Sequence, residues 1–162
     1  MTLAEAAARA AQLGDTDREL SQLRNEWGEE LEAAARDPDF RRRTVAYRAI
    51  GQFRFRQKVE LLRRGLEDQS PACRGSALLS LEQLSRESPG VVNGVRPLLH
   101  ELVTRDPNEA VRRLAVMVLK NGSPQPNTMQ LLQALGQDDE EPRELREAAT
   151  KIAAVLKKKT GR

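Results

Sequence analysis

The sequence predicts an all-α protein, a right-handed α-solenoid of about four to five stacked antiparallel helical hairpins. Three observations predict it. One unit recurs four times: Asp37…Arg43…Ala46…Ile50, Asp68…Arg74…Ala77…Leu81, Asp106…Arg112…Ala115…Leu119 and, less regularly, Asp139…Arg146…Ala149…Ala153. Its arginines stand 31, 38 and 34 residues apart, a spacing that suits one helical hairpin per repeat. Apolar residues return every three or four positions between turn signals, and no segment alternates apolar and polar residues as a half-buried strand does.

Taken in order, Leu3, Ala6, Ala7, Ala10 and Leu13 form a first stripe, which Gly14 is placed to close at C′. Asp15 or Thr16 is expected to cap a second helix carrying Leu20, Leu23, Trp27, Leu31 and Ala34. Asp37-Pro38 stops that helix and starts the next, because proline fits a first helical turn and not a helix interior. Helices follow near 40–53, 57–66 and 71–86, and then, past Ser88-Pro89-Gly90, over 91–105. Asp106-Pro107 repeats the turn before a helix at 108–120. The breakers in 121–127 enforce a loop, and helices near 128–137 and 142–158 complete the set.

These residues resemble a known family. An Asp-Pro or Asp-x-x-Pro turn, with an arginine six residues on and then Ala-x-x-x-Leu, is similar to the pattern of HEAT repeats, over roughly residues 37–156. The resemblance implies that Asp37, Asp68 and Asp106, with Arg43, Arg74 and Arg112, form a ladder that stacks successive turns. It also implies a binding scaffold. Residues 1–36 would cap a single domain spanning 1–162, with 37–156 as repeats and 157–162 as a basic tail.

Charge is unevenly spread. Residues 1–35 hold eight acids against three bases, whereas 36–64 hold ten bases against three acids. All five aromatic residues fall within 27–55. Such patterning speaks of partners more than of fold. On a helix over 40–53, a rotation of about 100° per residue puts Val45, Ala46, Ala49, Ile50 and Phe53 inward. It puts Arg41, Arg48 and Gln52 on one flank and Phe40, Thr44, Tyr47 and Gly51 opposite the core.

Chemistry finds little support. The one histidine, His100, cannot build a multi-histidine metal site, and the one cysteine, Cys73, excludes an intrachain disulfide. The acids 138–141 lack calcium-loop spacing and complement a helix dipole instead. No phosphate loop or nucleophile elbow occurs, so no cofactor, metal or catalytic residue is expected. No apolar run is long enough to span a membrane, and a cytoplasmic location is expected.

The expected function is therefore a non-catalytic module that presents the second helix of each pair to an acidic segment of another protein. The contacts expected are Arg41, Tyr47, Arg48, Arg54, Arg56, Arg113 and Lys120. DNA or RNA binding through the arginine- and aromatic-rich segment 40–64 is the alternative. One family of alkylpurine DNA glycosylases also has a HEAT-like fold, but its catalytic Asp, Trp and Arg set finds no match here.

Overall fold

The computed structural model describes residues 1–160; Gly161 and Arg162 of the expected tail lie outside the described residues. Among the described residues there are ten α-helices, one 3-10 turn at Arg56–Lys58 and no strand. They fall into two compact units, Met1–Leu84 and the residues from Ser85 onward.

The first unit contains α1 (Leu3–Ala11), α2 (Arg18–Ala35), α3 (Phe40–Gln52), α4 (Val59–Leu66) and most of α5 (Pro71–Ser85). Local chemistry starts each of the first three. Thr2 and Glu5 form a reciprocal capping box on α1, and Asp17 and Asp39 cap α2 and α3 through the amides of Glu19 and Arg41. Asp17 thus does what was expected of Asp15 or Thr16. No described glycine has positive φ, so Gly14 is not a left-handed C′ residue.

α3 is the middle of this unit. α1, α2 and α4 all pack against it. α5 meets it through a fully buried serine: Ser80 Oγ accepts from the Gly51 amide at 3.0 Å and donates to the Tyr47 carbonyl at 2.6 Å. The helices approach closely where glycines stand. A Cβ on Gly51 would lie 2.7 Å from Ser80 Cα, and one on Gly65 would lie 2.8 Å from Ala77 Cβ.

The second unit contains α6 (Gly90–Asn93), α7 (Arg96–Arg105), α8 (Glu109–Leu119), α9 (Pro126–Gln137) and α10 (Arg143–Thr160). α7 pairs with α8, α9 with α10, and α10 also packs on α8. The single helix expected over 91–105 is interrupted between Asn93 and Arg96. Pro97 explains the break: its ring tolerates only a first helical turn, which it occupies at the start of α7. Lys157–Thr160, expected as a tail, continue α10. Three lysines in its last turn complement the helix dipole.

Candidate partner-binding surface

The repeating turn has a common local construction. The side chains of Asp37, Asp68, Asp106 and Asp138 each accept the amide two residues on, at 2.8, 2.9, 2.9 and 3.0 Å. Such Asx turns satisfy backbone donors that the chain reversal leaves open. Arg43 then folds back, its Nη1 donating to the carbonyls of Asp37 and Pro38, while Arg74 does the same to Asp68 and Gln69. The remaining edge of Arg43 grips the next repeat: Nε and Nη2 donate to the two Asp68 oxygens at 2.8 and 3.1 Å. Burial alone would raise the Asp68 carboxyl, but the Arg43 hydrogen bonds and the Ser70 amide outweigh it and hold it below its usual value.

In the second unit Arg112 donates from Nε to the Val103 carbonyl and pairs through Nη2 with Glu141. The acid it meets is Glu141, which lies outside the expected ladder set. A signal for this was present, since Glu141-Pro142 repeats the acid-proline dipeptide of Asp37-Pro38 and Asp106-Pro107.

The expected contact residues differ in their surroundings. Arg41 is exposed, its guanidinium over the Phe40 ring and its Nε 4.0 Å from Asp39. Arg48 is half-buried and donates to Gln83 at 3.2 Å. Arg56 is exposed. In the other unit Arg113 is paired with Glu144, and Lys120 is half-buried with its carbonyl accepting from Lys159.

Two of them turn inward. Tyr47 is 3% exposed, because α3 is covered by neighbours on more than one face, whereas a single apolar stripe describes a helix covered on one. Gly51, placed opposite the core with it, is also buried. Burial raises the Tyr47 phenol above its ordinary value. Arg54 is also buried and has φ 48°. Its guanidinium donates to the carbonyls of Ala10, Leu13 and Gln52 and pairs with Asp15 at 2.8 Å. It thus closes the C-terminal ends of α1 and α3 together, where unpaired carbonyls accumulate.

What remains outward on α3 borders a groove. About 530 Å³ in volume, it lies between the first turns of α1 and α3 and the last turns of α2. Leu3, Ala4, Ala33, Ala34 and Val45 make its apolar lining. Arg41 and Arg42 stand on the α3 side and Glu30 on the α2 side. The side chains of Arg41 and Arg42 are 80% and 73% exposed, and Arg42 lies 3.5 Å from Asp37. Phe40 adds an exposed aromatic ring at the start of the same helix. Sequence reasoning missed Arg42 as a contact and missed the groove altogether. Both depend on where α1 lies beside α3, which no local spacing encodes.

Among the described residues no three His, Cys, Asp or Glu side chains are grouped to hold a metal ion. No described helix is long and apolar enough to cross a membrane.

Residues 28–101 match the family model described as HEAT repeats. Over that stretch the chain is similar to HEAT repeats, in agreement with the turn, arginine and helix pattern. Such repeats generally mediate protein interactions and are generally non-catalytic. No curated protein matches the chain.

Proposed function

We propose that the protein is a non-catalytic interaction module whose α1–α2–α3 groove holds an acidic amphipathic segment of another protein. The observation that carries the proposal is the pairing of an apolar lining with two exposed guanidiniums on one rim. Apolar side chains of a partner helix or turn would bury in the groove, at roughly 25 cal/mol per Å² of apolar area removed from water. Carboxylates on one flank of that segment would meet Arg41 and Arg42, and a cation on the other would meet Glu30. Charges so arranged set orientation and encounter rate more than affinity.

The segment 40–64 supports polyanion binding less well. Arg43, Arg54 and Lys58 are engaged internally with Asp68, Asp15 and Glu32. A nucleic acid would find its phosphate contacts reduced accordingly.

The test is fluorescence anisotropy with a labelled amphipathic acidic peptide and, in parallel, with single- and double-stranded DNA and RNA, each across a salt series. Peptide binding that falls about tenfold or more in Arg41→Glu/Arg42→Glu, with weak nucleic-acid binding, is the expected result. Submicromolar nucleic-acid binding with a steep salt slope, lost in the same double variant, would replace this reading.

A further inference from the structure

Arg43 shows what the ladder arginine does when a neighbouring acid is present. One edge clasps its own turn, and the Nε edge takes a carboxylate from the following turn in a side-on, two-point contact. Arg112 likewise pairs with an acid, Glu141. Arg146 stands at the corresponding place in the fourth unit, and its Nε is buried with no hydrogen-bond partner. Its sole carboxylate contact among the described residues is weak: Nη1 lies 3.4 Å from Asp139, whose side chain is 96% exposed. The Nε itself is closed to solvent, but the Arg146 side chain is 32% exposed, so its terminal nitrogens are open to a carboxylate from outside, and a charge-assisted contact there is stronger than a neutral one.

The surroundings fit such a ligand. Arg146 lines a cavity of about 440 Å³ on the α9–α10 hairpin, together with Gly136, Arg143, Glu147, Thr150 and Lys151. Gly136 keeps α9 close here, since a Cβ at that position would lie 2.5 Å from Thr150 Oγ1. Glu147 is occupied by Arg143 at 2.8 Å. Lys151 is exposed, with no carboxylate in ion-pair range among the described residues. The cavity therefore carries three cations against one acid that is already paired.

We infer that this hairpin face is a carboxylate-binding site, in which the terminal nitrogens of Arg146 take, end-on, the aspartate of a turn presented by another protein chain. Lys151 would add a second cation beside the incoming turn. None of these residues belongs to the α3 groove, and the inference stands on its own.

The probe is a synthetic peptide with the sequence of residues 64–74, whose aspartate fills the Arg43 rung in the intact chain. A second peptide carries asparagine in place of that aspartate. Both are titrated to millimolar concentration into the isotope-labelled protein, following the arginine side-chain Nε–H signals by NMR. The expected result is a saturable shift of the Arg146 signal by the aspartate peptide and roughly tenfold weaker binding of the asparagine peptide. Arg146→Lys should weaken binding, because an ammonium cannot reproduce the two-point geometry. Lys151→Glu, at an exposed position, should weaken it with the fold intact. Arg41→Glu/Arg42→Glu should leave it unchanged. An unmoved Arg146 signal, equal binding of the two peptides, or loss of binding in the Arg41/Arg42 variant but not in Lys151→Glu would overturn the inference.

Discussion

Arg54 condenses two opposing effects in one residue. Its left-handed backbone costs a non-glycine residue about 1–2 kcal/mol, and only glycine adopts φ 48° freely. In return, its guanidinium satisfies three helix-end carbonyls and an aspartate in a nearly buried setting. Arg54→Ala keeps the strain and loses the bonds, so unfolding experiments should show a loss of about 2–3 kcal/mol. Arg54→Gly loses the same bonds but relieves the strain, and should be the less damaging variant by about 1 kcal/mol. Equal stability of the two in urea unfolding would mean that the backbone conformation relaxes. No sequence rule announces such a residue. Arg54 reads there as one more base in a basic run, and its role depends on α1 ending beside α3.

At the scale of elements, α3 explains why the repeat was legible and its exposed face was not. The turn residues and the arginine six places on act within a few residues of each other, so their spacing carries the information. Which sides of α3 are covered depends on α1, α2, α4 and α5 together, and Tyr47 and Gly51 were placed outward for want of it. Close approach is the cause. Tyr47 Cδ1 would lie 3.0 Å, and Ala77 Cβ 2.8 Å, from a Cβ added to Gly65. Gly65→Ala should therefore destabilise by about 1–3 kcal/mol through overpacking, even though alanine is the better helix former. Ser80→Ala would leave the buried α3–α5 contact without its hydroxyl, at a cost of about 1–2 kcal/mol. Thermal unfolding of both variants would check this. A stabilised Gly65→Ala would mean that helix propensity outweighs the close packing.

For the molecule as a whole, the fold class, the repeat and the charge asymmetry were readable because they are periodic or cumulative. The groove and the buried polar groups were not, because they join residues far apart in sequence. His100 is such a case. On sequence it is a lone histidine on a helix. In the structure its Nε2 lies 2.8 Å from Thr128 Oγ1, beside the buried Arg96, whose Nη1 donates to the same hydroxyl at 3.1 Å. Burial first, and then the Arg96 charge, lower the His100 pKa below 6.5. The unfolded chain therefore takes up the proton before the folded one, and stability is lost as pH falls from about 6.5 through the folded value. Asp68 behaves in the same sense at lower pH. Its folded pKa lies below the unfolded value of 3.8, so its contribution is present above 3.8 and is lost as pH falls from there through the folded value. Urea unfolding followed by circular dichroism at pH 7.5, 5.5 and 3.0 should thus show two separate losses. His100→Gln should remove the first and spare the second, because a neutral amide cannot be charged beside Arg96. Asp68→Asn should lower stability at pH 7.5 and flatten the second. A first loss that persists in His100→Gln would assign it to another group and leave His100 without a part in the acid response.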